Sequence, residues 1–244
     1  MAFSFDSRVR YSETGVDQKL TILSLVDYFQ DCSTFQSELC GHGVNFLKER
    51  NRAWMVAYWQ IEVLRYPKLC EKITVQTWPY DFKGFYGLRN FALLDAEGAF
   101  LARANSVWVM IDTVTGRPCR VSQGEISGYQ MEPKLEMEYL PRKIATPEDG
   151  VAYDSFQVCR HHLDTNDHVN NGQYIGMAAE YLPDGVQVSR VRVEYRSQAH
   201  LHDVIVPVVT EAGQKVTVML CNTSGKAYAV VEFVAGDSPS VCGQ

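Results

Sequence analysis

Apolar residues recur in two different periods along the first part of the chain. Between Lys19 and Leu39 they fall every three or four positions, which is the spacing of one buried helix face, and Gly41 and Gly43 end the pattern. Runs rich in β-branched and aromatic residues then follow, separated by turn-forming residues. These runs lie at Trp54–Leu64, Lys72–Tyr80, Tyr86–Leu94 and Ala99–Ile111. The pattern predicts a long helix and an antiparallel sheet large enough to wrap it.

The second part repeats this order of elements. A short helical pattern begins after Asn170-Asn171-Gly172 and is ended by Pro183. Strand-like runs follow at Ser189–Tyr195, Val204–Thr210, Lys215–Cys221 and Ala227–Val234. A few positions of the two parts align, namely Gln30 with Glu180, Glu62 with Glu194, and Gly98 with Gly225. Such a repeat predicts two units built on one plan.

A segment without a sustained apolar period separates the two parts. It covers residues 124–150 and contains Pro133, Pro141 and Pro147 among alternating charges. This composition is typical of a linker that follows the protein surface. We therefore divide the chain into an N-terminal unit, 1–123, a linker, 124–150, and a C-terminal unit, 151–244.

Composition excludes several classes of protein. The 244 residues are 46% hydrophobic, enough for a sizeable core, and the net charge of −6 argues against a nucleic-acid binder. No stretch is long and apolar enough for a membrane span, and the first residues lack the features of a signal peptide, so we expect a cytoplasmic protein. Seven scattered cysteines without a Cys-x-x-Cys pair predict free, mostly buried thiols rather than a disulfide framework or a metal site.

The segment from His162 to Gly172 carries the densest group of reactive side chains. It places an acid, an amide and an imidazole at Asp164, Asn166 and His168, just before the second helix. Helix N-termini present backbone N–H groups that stabilise a partial negative charge, such as that on an attacked carbonyl oxygen. Each of these residues also has an ordinary structural role in turns and caps. Their combination is what indicates chemistry.

This segment resembles a known signature. The pattern Asp164-x-Asn166-x-His168-Val169-Asn170-Asn171-x-x-Tyr174-Ile175-Gly176, followed by Glu180 and Pro183, is similar to that of acyl-acyl-carrier-protein (acyl-ACP) thioesterases of plants and bacteria. Further family-like segments of the first part are Val9-Arg10-Tyr11-Ser12-Glu13, Ala53-Trp54, Thr77-Trp78-Pro79, Arg89-Asn90-Phe91 and Ser106-Val107-Trp108-Val109. The resemblance implies an α+β protein with a tandem, or double, hotdog fold, in which each unit is a long helix wrapped by an antiparallel sheet.

The resemblance also implies site residues. The family's Asp, Asn and His correspond to Asp164, Asn166 and His168, and a fourth position falls on Gln198. The plant pattern has Glu followed by Cys there, whereas this chain has Gln198 and Ala199, which excludes a cysteine nucleophile at that position. The remaining cysteine near the motif, Cys159, lies in an apparent strand, where a buried structural thiol is the common role.

These residues predict a mechanism. Asp164, aligned with His168, would activate water or attack the thioester directly, while Asn166 and Gln198 hold the water or the substrate. Helix N–H groups at Asn171 and Gly172 would stabilise the oxyanion. Glu180 is a second candidate, with an ordinary surface role as its alternative. No cofactor and no metal is expected.

The implied function is hydrolysis of fatty acyl-ACP to free fatty acid and carrier protein, which ends fatty acid synthesis. The segment Thr14–Gln18 lacks Asn and His, so the first unit would bind the acyl chain. The acidic carrier would contact basic residues, either Lys48, Arg50 and Arg52 or Arg142 and Lys143. The expected partner is thus acyl carrier protein, with no nucleic acid and no membrane span; a homodimer is left open.

Three other functions fit the same chemistry. An acyl-CoA thioesterase would act on the same thioester with a different pantetheine carrier. A non-catalytic acyl-binding module would use the polar cluster only to cap the helix. A hotdog hydratase also works beside a thioester at a helix terminus, but the arrangement of Asp, Asn and His in a tandem chain favours hydrolysis.

Overall fold

The computed structural model describes residues 2–236, which form two compact units that divide between Pro141 and Arg142. The first unit contains an antiparallel sheet of strand order β1-β3-β4-β5-β2, with β6 paired to β5. Its strands are β1 (Phe3–Arg8), β2 (Arg52–Val63), β3 (Lys72–Lys83), β4 (Tyr86–Leu94), β5 (Phe100–Asp112) and β6 (Arg117–Pro118), and its helices are α1 (Ile22–Leu39), α2 (Val44–Glu49) and α3 (Gln123–Ile126). The predicted helix and all four predicted strands of this part are confirmed.

Helix α1 forms where the sequence predicted it because a cap, an apolar face and a glycine stop coincide. The side chain of Thr21 accepts a hydrogen bond from the Ser24 N–H at the first turn. Phe29 is fully buried on the inner face, with ring centroids 5.2 Å from Phe91 and 6.2 Å from Trp59.

Among the helices of residues 2–236, none is both long and apolar enough to cross a membrane.

The second unit has the same architecture. Its sheet has the order β9-β12-β11-β10-β7, with β8 paired to β10, and one helix, α4, follows the polar segment. The elements are β7 (Val151–Ala152), β8 (Phe156–Gln157), α4 (Asn171–Ala179), β9 (Val188–Tyr195), β10 (Val204–Ala212), β11 (Lys215–Cys221) and β12 (Ala227–Ala235). The four predicted strands are again confirmed, and α4, with 9 residues against 18 in α1, is the shorter helix.

The internal repeat extends to the loop that precedes each helix. In the first unit the Gly15 N–H donates to the Lys19 carbonyl at 3.0 Å, and in the second the Asp164 N–H donates to the His168 carbonyl at 2.8 Å. Gln18, directly before Lys19, and Asp167, directly before His168, both have a left-handed backbone, with φ of 60° and 59°. The two loops therefore have one conformation, and their residues correspond one to one.

This correspondence corrects one aligned pair. Thr21 and Asn170 are the N-caps of α1 and α4, and Glu180 lies ten positions after its cap (180 − 170), as Asp31 does in the first unit (31 − 21). The structural counterpart of Glu180 is thus Asp31, one position beyond Gln30. The pairing of Gly98 with Gly225 is confirmed, because both have φ near +80° (83° and 80°) in equivalent hairpin turns.

The predicted linker does not lack structure. Its first residues form α3, where Ser122 and Glu125 build a capping box, and a four-residue helix is too short to show an apolar period. Farther along, the Pro133 carbonyl accepts the Trp78 indole N–H at 2.9 Å. The division between the units falls inside the segment 124–150, and its role as a connection remains a proposal.

The cysteines are free but less buried than predicted. Of those within residues 2–236, Cys32 and Cys221 are buried, whereas Cys70 and Cys159 are exposed. The prediction of a buried Cys159 in a strand is wrong, because this residue is the N-cap of a 3-10 turn, Arg160–His162. Cys242 lies outside the described residues.

A cluster of acids around the half-buried Asp27 of α1 makes the stability of the protein depend on pH. Burial, then the charges of Asp31 and Glu13, raise the pKa of Asp27 to about 6 from 3.8. Because the folded pKa is raised, this group stabilises the fold below pH ~4, and the stabilisation is lost as the pH rises through ~6. Asp27→Asn should therefore raise the free energy of unfolding at pH 7.5 by on the order of 1–2 kcal/mol.

Urea denaturation of both proteins from pH 4 to pH 8 would measure this effect. Asp27→Asn should be less sensitive to pH than the wild type in this range. Glu49→Gln, at a carboxylate that is 77% exposed, is the control and should behave as the wild type. An unchanged pH dependence in Asp27→Asn would contradict the assignment.

Candidate active site

The loop before α4 is organised around the carboxylate of Asp164. Its Oδ1 accepts the backbone N–H of Asn166 at 2.7 Å and that of His168 at 3.3 Å. Asp164 is half-buried, and Asn166 is exposed. Left-handed Asp167 closes the turn, a conformation that Asp and Asn adopt more easily than most residues. The loop thus holds one carboxylate and one imidazole at its two ends, with the amide between them.

His168 and Gln198 meet across the second unit. Gln198 follows β9, and its Nε2 lies 3.2 Å from the Nδ1 of His168. The two segments are also joined by the Val169 N–H, which donates to the Ala199 carbonyl at 3.0 Å. The structure therefore brings together Asp164, His168 and Gln198, which the sequence places 34 positions apart at most (198 − 164).

The environment of His168 favours its neutral form. Burial lowers the pKa of this imidazole below its ordinary 6.5, and the charge of His200 lowers it further, against the opposite effect of Asp164 and Asp167. At pH 7 the ring therefore has one N–H and one lone pair. Such a ring can donate a hydrogen bond through its N–H and accept a proton at its lone pair.

One of the backbone N–H groups at the start of α4 is already hydrogen-bonded to the side chain of the N-cap residue. Asn170 is the N-cap, and its side-chain oxygen accepts the Gly172 N–H at 2.8 Å. The Asn171 carbonyl accepts the Tyr195 hydroxyl at 2.7 Å. The oxyanion role of Asn171 and Gly172 remains a prediction, and in that role the Gly172 N–H would share or release its bond to Asn170.

Two tyrosines that the sequence reasoning did not assign hold the site in place. The Ala199 N–H donates to the hydroxyl of Tyr174 at 2.9 Å, next to Gln198. Tyr174 packs edge to face on Tyr195, with ring centroids 5.8 Å apart. Burial raises the pKa of Tyr174 well above its ordinary value. The neutral Tyr174 therefore fixes the backbone that carries Gln198. The position of Tyr174 in the motif was the available signal.

Glu180 does not join this group. It is exposed at the C-cap of α4, whereas the site lies at the N-terminal end of the helix. A helix rises about 1.5 Å per residue, so the ten positions from Asn170 to Glu180 correspond to about 15 Å. Glu180 thus lies at the opposite end of α4 from Asp164 and His168, and its role in the chemistry stays a prediction.

The equivalent loop of the first unit lacks the same groups. Gly15, Asp17 and Lys19 occupy the places of Asp164, Asn166 and His168, and the Lys19 ammonium lies 3.7 Å from Asp17. A glycine has no carboxylate, and a lysine cannot serve as a neutral imidazole does. Of the two matching loops, that of the second unit is therefore the candidate site.

Comparison with protein families gives two adjacent matches. Residues 2–129 match the acyl-ACP thioesterase N-terminal domain, and residues 146–233 match the acyl-ACP thioesterase C-terminal domain. Together the two matches cover most of the chain.

Curated relatives carry the same family name. A chloroplastic palmitoyl-acyl carrier protein thioesterase of Gossypium hirsutum is 29% identical over 231 residues, which are 86% of this chain and 55% of that protein. The chloroplastic oleoyl-acyl carrier protein thioesterase 2 of Arabidopsis thaliana is 26% identical over 247 residues, 91% of this chain and 67% of that protein. The chain thus spans about half to two thirds of the length of these relatives.

Solved structures share the fold. A crystal structure of an acyl-ACP thioesterase from Bacteroides thetaiotaomicron superposes with a TM-score of 0.88 at 22% identity, covering 96% of this chain and 98% of the other. The 12:0-ACP thioesterase from Umbellularia californica gives a TM-score of 0.83 at 23% identity, with 96% of each chain covered. The predicted double hotdog fold is confirmed.

Proposed function

The chain belongs to the acyl-ACP thioesterase family, and from this premise we propose that it hydrolyses fatty acyl-ACP to free fatty acid and the carrier thiol. The observation that carries the proposal is the convergence of Asp164, His168 and Gln198 at the start of α4, with Gln198 Nε2 3.2 Å from the imidazole. A carboxylate can activate water or attack the thioester, and a neutral imidazole beside it can donate a hydrogen bond or act as a base in the same reaction.

The geometry suggests separate roles for the two titrating groups. An amide N–H of Gln198 that donates to the Nδ1 of His168 leaves the imidazole proton on Nε2. As base, Asp164 takes a proton from a water whose oxygen attacks the carbonyl carbon; as nucleophile, it attacks that carbon itself, and water then hydrolyses the resulting acyl anhydride. When the C–S bond breaks, the Nε2–H of His168 donates a hydrogen bond to the leaving thiolate and keeps its proton. The thiolate takes the proton that the attacking water loses, which Asp164 carries in the base route.

We assign the acyl chain to the first unit. Its loop lacks the reacting groups, whereas its helix is the longer of the two and packs on an aromatic interior that includes Phe29, Trp59 and Phe91. The division of labour between an acyl-binding unit, 1–123, and a catalytic unit, 151–244, is part of the proposal.

Of the two basic sets that the sequence offers as a carrier surface, we favour Arg142 and Lys143. Arg52 is engaged by Asp112 at 2.6 Å and by Glu125 at 3.7 Å, which neutralises it as a docking residue. Lys143 is exposed and belongs to the same unit as the site. We therefore place the acidic carrier on the side of Lys143 and its neighbour Arg142.

Salt and charge reversal test this placement. From about 50 to about 300 mM salt, kcat/KM on acyl-ACP should fall several-fold more than on a short acyl-pantetheine thioester, because only the protein carrier is attracted at long range. Lys143→Glu should lower kcat/KM for acyl-ACP about 3–10-fold and leave the pantetheine substrate unaffected. Lys226→Glu, at another exposed lysine of the second unit, is the control. Equal losses on both substrates would contradict docking by charge.

A comparison of carriers decides between the functions. One acyl chain is supplied on ACP and on coenzyme A, and thiol release is followed with the wild type and with Asp164→Asn. The proposal expects higher kcat/KM on ACP, and the reverse order would indicate an acyl-CoA thioesterase. Acyl binding without thiol release from either carrier would indicate a non-catalytic binding module. Hydration of an enoyl thioester without its hydrolysis would indicate a hydratase.

Two further properties remain predictions. A cytoplasmic location can be tested by cell fractionation. A homodimer can be tested by sedimentation of the purified protein, in which the dimer would have twice the mass of the 27.6 kDa chain.

A further inference from the structure

A second histidine lies against the imidazole of His168. The rings of His168 and His200 pack edge to face, with centroids 4.9 Å apart and planes at 71°. His200 follows Gln198 by two positions, so the same segment contacts His168 twice. Gln198 lies at the Nδ1 atom and His200 packs against the ring. His168 is thus held by more than the hydrogen bond to the amide.

Asp203 fixes His200 in this position. The His200 N–H donates to the Asp203 carboxylate at 2.9 Å, and the Asp203 N–H donates to the His200 carbonyl at 3.1 Å. The Nδ1 of His200 lies 3.8 Å from the same carboxylate oxygen, which also accepts the Tyr228 hydroxyl at 3.2 Å. The turn fixes the backbone of His200, and the carboxylate of Asp203, itself held by Tyr228, lies beside the imidazole while the ring packs on His168.

A second contact that orients the His168 imidazole matters because position 198 holds an amide rather than a carboxylate. A carboxylate at this position, as in the plant pattern that the sequence resembles, would both orient the imidazole and act on its charge. The amide of Gln198 can orient the ring but has no charge to offer. Burial and His200, which disfavour the charged imidazole, are therefore not opposed by a negative charge at position 198.

We propose that His200, held by Asp203, is a positioning residue of His168 that fixes the orientation of its ring and keeps it uncharged during the reaction. This inference rests on the proposed function for its catalytic meaning, but the contact itself does not. His200 would act through His168, without touching the substrate.

The charges around His168 give the direction of the effect. Asp164 and Asp167 of the same loop favour the protonated imidazole, whereas burial and His200 disfavour it. Across the site, Asp203 and Tyr228 face His200. Removal of the His200 charge should therefore raise the pKa of His168 and move the acidic limb of the pH–rate profile to higher pH.

Substitutions at His200 separate packing from charge. The side chain is 58% exposed, so its replacement should not impair folding. We expect His200→Ala to lower kcat about 10-fold with KM within about twofold, because orientation is lost without loss of substrate binding. His200→Phe keeps an aromatic ring and should recover kcat at pH 8 to within about threefold of wild type.

The control is a histidine two positions away. His202 is exposed and has a left-handed backbone with φ of 72°, which Asn also adopts, so His202→Asn should match the wild type. NMR titration of the His168 ring should show a raised pKa in both His200 variants and an unchanged pKa in His202→Asn. Because the titration needs no turnover, it remains informative even if the wild type hydrolyses no thioester, which would overturn the proposed function alone.

Specific results would overturn the inference. One is an unchanged pKa of His168 in His200→Ala and His200→Phe. Another is a kcat of His200→Ala equal to that of the wild type. A loss in His202→Asn equal to that in His200→Ala would likewise show that the effect is not specific to the contact with His168.

Discussion

Asp164→Asn should lower kcat on acyl-ACP by about 1,000-fold or more, because an amide can neither take a proton from water nor attack a carbonyl. The fold should survive, because an asparagine oxygen can still accept the N–H groups of Asn166 and His168. Steady-state kinetics gives the loss of turnover, and thermal unfolding followed by circular dichroism gives the stability. A change in Tm of less than a few degrees would confirm that the loss is chemical.

The same loop offers a matched control. Asp167 lies between Asn166 and His168 and has a left-handed backbone, φ 59°, that asparagine tolerates. Asp167→Asn removes one negative charge from the same loop without touching the proposed reacting group, so kcat should stay within about threefold of wild type. If Asp164→Asn kept comparable activity, or if both variants lost the same activity, Asp164 would have no specific role in the reaction.

Gln198→Ala should lower kcat by about 10–100-fold, because the imidazole loses the hydrogen bond that orients it and fixes its proton. The effect is smaller than that of Asp164→Asn because Asp164 and His168 remain. The contact to be lost is the 3.2 Å approach of Gln198 Nε2 to His168 Nδ1. Acyl-ACP kinetics at several pH values measures it, with KM expected to change little.

The conservative replacement separates orientation from bulk. Gln198→Glu should stay active, because the carboxylate accepts a hydrogen bond from the Nδ1–H and still holds the ring. The Nε2 of His168 then has a lone pair that can take the proton of the attacking water, and the carboxylate should raise the pKa of His168. Wild-type rates in Gln198→Ala would show instead that position 198 is a bystander.

Most of the fold could be predicted from local sequence pattern. Long periodic segments, such as α1 and the four long strands of each unit, have enough repeats for the period to be read, and their ends are marked by caps and glycines. Short elements have no such signal. The pattern around Cys159 predicts a strand, but the residue caps the 3-10 turn Arg160–His162 and is exposed.

The candidate site was predictable to the extent that it is local. Asp164 and His168 share one loop, and the motif identified both residues. Only the family resemblance indicated that Gln198 belongs to the same site as His168. The two residues are 30 positions apart (198 − 168), and such a contact depends on the fold, which local sequence pattern does not reveal. His200 and Tyr174 act through ring packing and a backbone bond, which no sequence spacing reveals. The sequence leaves open whether Asn170 or Asn171 caps α4, and the structure selects Asn170, whose side chain accepts the Gly172 N–H.

The most direct test of the proposed activity is the release of free fatty acids from a mixed pool of acyl-ACPs, quantified by mass spectrometry. The purified wild-type protein should release free acids and carrier thiol in equal amounts, and Asp164→Asn should release almost none. The chain lengths released would at the same time report the depth of the acyl pocket. Failure of a correctly folded wild-type protein to release acid from any acyl-ACP would contradict the proposal that this chain is an acyl-ACP hydrolase.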